Sequence, residues 1–391
     1  MTLSTSQLTG AIDRERTLRF AAAITAAGRA DGREGPRAEL IAELIDHPRL
    51  DVVVDPALPG RPNVIVRLAG SGEGPGLVLN GHIDGGFVDA EAWSHDPLDP
   101  WVDGNRLFGG AVSDMLGGVA AQMETLRAAA DLEPLPGDLV LLANMHHDSN
   151  GLGTKYALAT EGGWPEFGIN GEPTSMSILT THGGCVKFEV RFGGRVAHVS
   201  RAEEGRDALD AATRFAGELR SAGFTSSPDP DLPTLPRYQI GVLSGGFAAA
   251  AVPDRAILQG DVRIVPGMTW ETVRADLRAV AERASGDGIT ASVHCLVRQR
   301  PFVGPQAGRL YDALADAHRT VRGSPVEVNV DRAAQAFVTD ATDMAVAGIE
   351  TLVYGPGAWH FVPDESIDID EMADAARVYL MAAARLMGVA S

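Results

Sequence analysis

The sequence predicts an α/β domain that is interrupted by a smaller, ferredoxin-like α+β domain. Three observations carry this prediction. Up to residue 179, short apolar runs typical of strands alternate with segments of helical spacing. Strict alternation of apolar and charged residues then begins at Val186, as in a half-exposed antiparallel strand. After residue 298 the α/β pattern returns. We therefore predict one catalytic domain built from residues 1–179 and 299–391, with residues 180–298 inserted as a second domain.

The elements of the first part are predicted from apolar residues at helical spacing and from short apolar runs, giving helices at 14–27, 36–45 and 117–130 and strands at 63–68, 76–79 and 138–144. Strands that alternate with helices favour a sheet covered by helices on both faces. In such sheets, ligands bind at the carboxyl ends of the strands. Polar side chains that follow these strands are therefore candidate site residues.

The inserted part follows the order β-α-β-β-α-β of a ferredoxin-like domain. Its predicted elements are a strand at 186–192, a helix at 207–222, strands at 238–243 and 256–265, a helix at 269–284 and a strand at 289–297. The last part is predicted to return to the α/β domain with helices at 310–322 and 369–386 and a strand at 351–354.

Composition excludes several classes of partner. The 52 acidic residues outnumber the 33 Lys and Arg, for a net charge of −19, which argues against binding to a nucleic acid or to an anionic membrane surface. No apolar run approaches the roughly 18 residues of a membrane span. The N-terminal segment lacks a signal-peptide pattern, and two cysteines cannot make a disulfide framework. A cytoplasmic protein is therefore predicted.

Histidine and carboxylate side chains recur at predicted strand ends and loops, namely at His82, Asp114, Asp148, Glu172 and His360. Two zinc ions held about 3.5–4 Å apart require such ligands on each ion, together with a carboxylate that bridges both. The pattern therefore predicts a metal-dependent hydrolase.

With their neighbours, these residues resemble the dinuclear-zinc metallopeptidase family of acetylornithine deacetylase, succinyl-diaminopimelate desuccinylase and aminoacylase. The resemblance extends over nearly the whole chain and rests on motifs in the same order, including Gly81-His82-Ile83-Asp84, Ser113-Asp114-Met115, Gly171-Glu172-Pro173-Thr174, Ala197-His198, Val252-Pro253-Asp254, Asp261-Val262-Arg263, Thr339-Asp340-Ala341, and Gly355-Pro356-Gly357 with His360 and Glu365. It implies two Zn²⁺ per chain, or Mn²⁺ or Co²⁺, with His82, Asp114, Asp148, Glu172 and His360 as ligands.

The resemblance also implies roles for other residues. Asp84 is expected to orient the ring of His82 without binding the metal itself. His198 of the inserted domain is expected to reach the active site of a partner subunit in a homodimer. Arg263 and the backbone donors of Gly355 and Gly357 are candidates for binding a substrate carboxylate. The implied substrate is a small amide with a carboxylate nearby, such as an N-acyl amino acid or a dipeptide.

The chain departs from the family at the general base. Family members end one strand in two consecutive glutamates, of which the first is the base and the second a metal ligand. Counting back from Gly151-Leu152-Gly153, His147 takes the position of the base and Asp148 that of the ligand. Imidazole titrates near neutral pH and therefore suits a base, but His147 or His146 could instead bind metal.

Three functions remain open at this point. The first is a zinc-dependent amidohydrolase or deacylase, in which His147 is the base and His198 stabilises the oxyanion. The second is a non-hydrolytic lyase or aldolase on the same scaffold, because the missing glutamate suits chemistry that must avoid activating water. The third is a catalytically inactive binding homologue, which the retention of the metal ligands argues against.

Overall fold

The computed structural model describes residues 2–29, 32–72, 74–85, 90–148, 150–330, 334–359 and 362–390. The chain divides into two compact units. The α/β unit runs to Thr180 and resumes at Val303–Val330 and from Thr339 onward, whereas the ferredoxin-like unit takes Thr181–Phe302 and a short later segment that ends at Val338. The boundaries expected from the sequence lay at 179/180 and 298/299, and the later segment was not expected.

The strands, numbered along the chain, are β1 (Leu50–Leu58), β2 (Arg61–Leu68), β3 (Leu77–His82), β4 (Trp101–Asp103), β5 (Arg106–Phe108), β6 (Leu139–Asn144), β7 (Phe167–Asn170), β8 (Thr181–His182), β9 (Gly184–Gly193), β10 (Ala197–His198), β11 (Arg237–Gly245), β12 (Ala251–Val252), β13 (Arg255–Ile264), β14 (Thr290–Gln299), β15 (Phe302–Val303), β16 (Glu350–Val353) and β17 (Ser366–Asp368). The α-helices are α1 (Thr5–Gly10), α2 (Arg14–Ala26), α3 (Gly35–Leu44), α4 (Gly117–Asp131), α5 (Leu152–Thr160), α6 (Ala208–Ala222), α7 (Trp270–Ser285), α8 (Arg309–Arg322), α9 (Ala341–Val346) and α10 (Ile369–Leu386). Among the described residues, no helix is both long and apolar enough to cross a membrane.

A six-stranded sheet in the order β1-β2-β6-β3-β7-β16 forms the centre of the α/β unit. The strands from β6 to β16 are parallel, and β1 and β2 add an antiparallel edge. Alternate strand residues pack on opposite faces of the sheet. Leu79 and Leu141 belong to the hydrophobic core that the sheet forms with α2, α4, α8 and α10. Val78 and Val140 belong to a second core, which the sheet forms with α5 and α9. The predicted α/β fold is thus confirmed, and the carboxyl ends of β6, β3 and β7 meet at one edge of the sheet.

The ferredoxin-like unit contains a four-stranded antiparallel sheet in the order β11-β13-β9-β14, with α6 and α7 packed on one face. Along the chain its elements follow the predicted β-α-β-β-α-β order. Phe188 and Val190 face the core of this unit, as expected from the alternating pattern. Glu189 lies on the opposite face but is buried, because its carboxylate pairs with Arg191 and Gln259.

Candidate metal centre

Four polar side chains lie together at the carboxyl edge of the central sheet. His82 ends β3, Glu172 follows β7 and His147 follows β6, while Asp114 lies in the turn that precedes α4. His82, His147 and Glu172 are only 7%, 6% and 2% exposed. Because the carboxyl ends of neighbouring parallel strands meet at one edge, residues far apart in the sequence come into contact here. We call His82, Asp114, His147 and Glu172 the His82 cluster.

His82 presents one ring nitrogen to two carboxylates. Its Nε2 lies 3.2 Å from Oδ1 of Asp114 and 3.5 Å from Oε1 of Glu172. On the other side of the ring, Nδ1 donates to the backbone oxygen of Asp84 at 3.0 Å, and the Asp84 carboxylate lies 3.4 Å away. With the hydrogen on Nδ1, the lone pair of Nε2 faces the two carboxylates, as in a metal-binding histidine.

The donor atoms of His82, His147 and Glu172 lie within 4.8 Å of one another, and Nε2 of His82 also faces a carboxylate oxygen of Asp114. Zinc holds nitrogen and oxygen ligands at about 2.0–2.2 Å in a tetrahedron, which separates neighbouring donors by about 3.3–3.5 Å. The two distances from Nε2 of His82 match this separation. Oε1 of Glu172 is buried and makes no hydrogen bond to any described residue. A buried carboxylate oxygen without a partner is costly, and a cation bound between these donors would remove that cost.

The electrostatics of the His82 cluster agree with such a cation. Burial and the charge of Asp114 raise the pKa of Glu172 to about 8. Burial also opposes ionisation of Asp84, but the hydrogen bond and charge of His82 bring the pKa of Asp84 well below its usual range. The raised pKa means that Glu172 tends to retain its proton, and a divalent ion bound beside it would favour the ionised, metal-binding form of this carboxylate.

His147 borders the donor set of His82, Asp114 and Glu172. Its ring stacks on that of His82, with centroids 4.6 Å apart and an interplanar angle of 9°. Its Nε2 lies 3.9 Å from Oε1 of Glu172, which is longer than the separation of two donors on one zinc ion. Its Nδ1 lies 3.1 Å from Oδ1 of Asp340. Burial alone would lower the pKa of His147, but Asp340 outweighs burial and raises it to about 10.

Asp148 does not join the His82 cluster in the structure. It is exposed, and its backbone N–H donates to Oδ2 of Asp84 at 3.2 Å. The expectation that its carboxylate lies among the ligands is therefore corrected. The backbone of His146 is left-handed, with φ of 56°, and beyond it His147 is buried whereas Asp148 is exposed. His360, the other expected ligand of a second ion, lies outside the described residues.

His146 has a different set of partners from His147. Its Nδ1 lies 3.2 Å from a guanidinium nitrogen of Arg61, and its backbone N–H donates to Oε1 of Glu34 at 3.1 Å. Arg61 also pairs with Glu34 at 2.7 Å. Burial and the charge of Arg61 lower the pKa of His146. The donor atoms of Glu34, Asp84 and His146 do converge, but the guanidinium already neutralises Glu34, so this group is better explained as an ion-pair network.

The turn that carries Asp114 is held by Glu365. Oε1 of Glu365 accepts the backbone N–H groups of Ser113 at 2.7 Å and of Asp114 at 3.1 Å. Burial raises the pKa of Glu365 to about 8. A buried acceptor shared by two consecutive N–H groups fixes the direction in which the Asp114 side chain leaves the backbone.

Gly355 and Gly357 have a structural use that differs from the expected one. The N–H of Gly355 donates to Oγ1 of Thr174 at 3.0 Å, and that of Gly357 donates to Oε2 of Glu371 at 3.1 Å. Both donors that were expected to bind a substrate carboxylate are thus engaged within the protein. A Cβ at Gly355 would overlap the carbonyl oxygen of Gly171, next to Glu172. Close backbone approach explains the glycine at this position.

In the ferredoxin-like unit, His198 is exposed on β10, which pairs with β12. Its Nδ1 accepts the backbone N–H of Ser200 at 3.2 Å, so a neutral ring carries its hydrogen on Nε2. Arg263 is less available than expected. Its Nε lies 2.9 Å from Oδ1 of Asp261, and its guanidinium also donates to the backbone oxygen of Ala336 at 3.1 Å. In this structure Arg263 is thus paired within its own unit, and its role in binding a substrate carboxylate stays a prediction.

The chain matches a known protein family. Residues 78–385 match the family described as Peptidase family M20/M25/M40. The chain is similar to the acetylornithine deacetylases of Edwardsiella ictaluri, at 29% identity over 80% of this chain and 81% of that protein, and of Salmonella arizonae, at 29% identity over 81% and 82%.

Solved structures agree on the fold. The dipeptidase Dug1p from Saccharomyces cerevisiae aligns over 99% of both chains with a TM-score of 0.80 and 13% identity. Human carnosine dipeptidase 1 aligns over 98% of this chain and 99% of its own, with a TM-score of 0.76 and 14% identity. Since the family match covers most of the sequence, this chain belongs to peptidase family M20/M25/M40, whose members are metal-dependent hydrolases of amide bonds.

Proposed function

We propose that this protein hydrolyses a small amide that carries a carboxylate, such as an N-acyl amino acid or a dipeptide, with His147 as its general base. The observation that carries the proposal is the position of His147, whose Nε2 borders the His82 cluster while its Nδ1 faces Asp340. The substrate class is supported by the names of the similar proteins, which are acetylornithine deacetylases and dipeptidases.

His82, Asp114 and Glu172 are the residues proposed to hold zinc, since Nε2 of His82 lies 3.2 Å and 3.5 Å from one oxygen of each carboxylate, close to the separation of two zinc ligands. A bound zinc ion would lower the pKa of water and polarise the amide carbonyl. Manganese and cobalt remain alternatives. A second ion per chain stays a prediction, because it requires Asp148, whose carboxylate is exposed, and His360, which is outside the described residues.

His147 is proposed to move the proton. In the absence of a cation Asp340 raises the pKa of His147 to about 10, and a zinc ion held beside the ring would lower this pKa. In the zinc-loaded protein, Nε2 would then accept a proton from a water molecule beside the His82 cluster and deliver it to the leaving amine. Asp340, 3.1 Å from Nδ1, would stabilise the imidazolium formed in between. A positioned base of this kind contributes about 10²- to 10⁴-fold to the rate. Imidazole can thus take the place of the family's glutamate without loss of the hydrolytic reaction.

The remaining roles are also proposals. His198, exposed and with its Nε2–H free of the Ser200 contact, is proposed to donate to the oxyanion from a partner subunit of a homodimer. A cytoplasmic location stays a prediction. The two other functions, a non-hydrolytic lyase or aldolase and an inactive binding homologue, gain no support from the family match, which favours hydrolysis of C–N bonds.

The experiment is a substrate panel in water enriched in ¹⁸O. Zinc-loaded protein is incubated with N-acetyl amino acids, including N-acetylornithine, and with dipeptides, and amine release and product mass are followed. We expect at least one amide to be cleaved, with one solvent oxygen in the new carboxylate. If no panel member releases amine, or if the products form by carbon–carbon cleavage without solvent oxygen, the proposal is wrong.

A further inference from the structure

Helix α4 lies very close to the end of β7. A Cβ built on Gly118 of this helix would lie only 2.4 Å from the backbone oxygen of Gly171, the residue that precedes the proposed ligand Glu172. In the other direction, a Cβ built on Gly171 would lie 2.4 Å from Nε2 of Gln122. Gln122 is fully buried on α4. Its side-chain amide therefore packs directly against the backbone that carries Glu172.

The same amide also reaches β3. Nε2 of Gln122 donates to the backbone oxygen of Asn80 at 2.9 Å, and that oxygen also accepts the backbone N–H of Gly171 at 2.9 Å. One carbonyl group thus joins α4, β3 and the end of β7. A Cβ built on Gly81 would lie 3.1 Å from Oε1 of Gln122. Since His82 follows Gly81, Gln122 packs beside two proposed zinc ligands, one on each of two neighbouring strands.

Packing alone does not account for an amide at this position. Oε1 of Gln122 is buried and has no hydrogen-bond partner in the part of the chain that the structure describes, which is destabilising. The amide cannot turn over to pair this atom, because Oε1 in the place of Nε2 would face the backbone oxygen of Asn80, and both atoms are acceptors. A methionine would fill the space without an unpaired oxygen. The feature of Gln122 that an apolar residue of the same size would lack is its N–H donor.

We propose that Gln122 is a positioning residue that sets the distance between the proposed zinc ligands His82 and Glu172. Nε2 of His82 and Oε1 of Glu172 lie 3.5 Å apart, close to the separation of two donors on one zinc ion. Each ligand follows a glycine that packs against the amide of Gln122. A shift of either strand end would change the donor distance, and a metal site requires its ligands within about 0.5 Å of the productive geometry. Gln122 thus acts through the backbone of both segments.

This inference rests on the proposed function, which assigns His82 and Glu172 as zinc ligands, so metal binding is measured apart from hydrolysis. Zinc affinity is obtained by competition with a chelator. Co²⁺ is the second probe, because its visible absorption depends on the number and geometry of its ligands. The melting temperature of the metal-free protein reports the stability of every variant, which separates effects on the metal site from effects on folding.

The first variant, Gln122→Met, keeps the approximate size of the side chain and removes its donor. We expect its melting temperature to stay near that of the wild type, because the loss of the hydrogen bond is offset by the loss of the unpaired oxygen. The zinc Kd should rise about 10- to 100-fold, and the Co²⁺ absorption should change.

The matched control is Thr125→Val, further along α4. It removes a buried hydroxyl that donates to the backbone oxygen of Ala121 at 2.8 Å. Because Thr125 makes this bond within its own helix, the control should lower the melting temperature but leave the zinc Kd and the Co²⁺ absorption as in the wild type.

A second experiment introduces a clash and then relieves it. In Gly171→Ala, the new Cβ would lie 2.4 Å from Nε2 of Gln122, so either the amide or the end of β7 must move. We expect the zinc Kd to rise at least about tenfold. In the background of Gln122→Ala the clashing amide is absent, so the same change at Gly171 should have much less effect on the zinc Kd.

Wild-type zinc Kd and Co²⁺ absorption in Gln122→Met would overturn the inference, and so would an equal effect of Gly171→Ala in both backgrounds. Wild-type zinc Kd in Gly171→Ala would also overturn it, and this outcome requires no folded variant at position 122. If metal binding responds as expected while no panel amide is cleaved, the positioning role stands and the proposed function fails. If an amide is cleaved while Gln122→Met binds zinc as the wild type does, only the positioning role fails.

Discussion

Replacing Glu365 with alanine should destabilise the α/β unit and weaken zinc binding together. The substitution leaves the backbone N–H groups of Ser113 and Asp114 without the acceptor that they share. Each buried donor left unpaired costs about 1–3 kcal/mol, so we expect the free energy of unfolding to fall by about 2–6 kcal/mol. Because Asp114 loses the contact that fixes its turn, zinc affinity should fall in the same variant.

The assay is urea unfolding of metal-free protein, followed by zinc titration against a competing chelator. Glu365→Gln keeps an oxygen acceptor and should lose much less stability than the alanine variant. Glu371→Ala is the matched control, because Glu371 accepts a single backbone N–H, from Gly357 at 3.1 Å, and should cost about half as much. If Glu365→Ala unfolds with the free energy of the wild type and binds zinc equally well, the assigned role of Glu365 is wrong.

Three further substitutions test the roles of Asp343, Gly355 and Asp148. Burial raises the pKa of Asp343 to about 6, so this carboxyl should contribute a loss of up to about 3 kcal/mol of stability as pH rises from about 4 to above 6, because only the folded state holds the proton there. Glu172 and Glu365, whose pKa values are also raised, add losses of their own, so Asp343→Asn is compared with the wild type at pH 4 and pH 7. The change in the free energy of unfolding between the two pH values should be smaller in Asp343→Asn, and an equal change in both proteins would contradict the prediction. Gly355→Ala should destabilise the protein and lower zinc affinity, since the new Cβ overlaps the carbonyl oxygen of Gly171. A melting temperature equal to that of the wild type would show that the segment around Gly171 adjusts, and would contradict this prediction. Asp148→Ala should keep wild-type zinc affinity by chelator competition, because its carboxylate is exposed, and a large loss would restore Asp148 as a ligand.

Much of the fold was readable from the sequence because apolar periodicity sets which face of each element is buried. Strands β3 and β6, which end at His82 and Asn144, are fully buried and therefore stand out as apolar runs. In contrast, β1 was not predicted. It is an edge strand with mostly exposed side chains, and Asp51, Asp55 and Pro56 break its apolar pattern.

The candidate site was harder to predict from the sequence, because its arrangement depends on single backbone angles and on contacts between residues far apart in the chain. His147 is buried and Asp148 is exposed next to the left-handed backbone of His146, and no local sequence pattern reveals that arrangement. The contact between His147 and Asp340 joins residues far apart in the sequence. Two signals were available, however. Asp261 and Arg263 are two residues apart on one strand and thus share a face, where they pair.

The second available signal was the presence of asparagine inside apolar strands. Asn80 and Asn144 lie within runs that are otherwise apolar, and a buried amide requires partners. Such residues predict a polar network across the sheet, even though the sequence does not say where the network ends. The structure supplies that end point at Asp340.

We propose that His147 acts as a base beside the donor set and is not itself a metal ligand. The most direct measurement is zinc content per chain by elemental mass spectrometry, together with kcat, on one preparation of His147→Ala and of wild type. We expect zinc content to be unchanged in His147→Ala, while kcat for the best panel substrate falls by about 10²- to 10⁴-fold. Loss of zinc in His147→Ala would make His147 a ligand, and unchanged kcat would remove it from the chemistry.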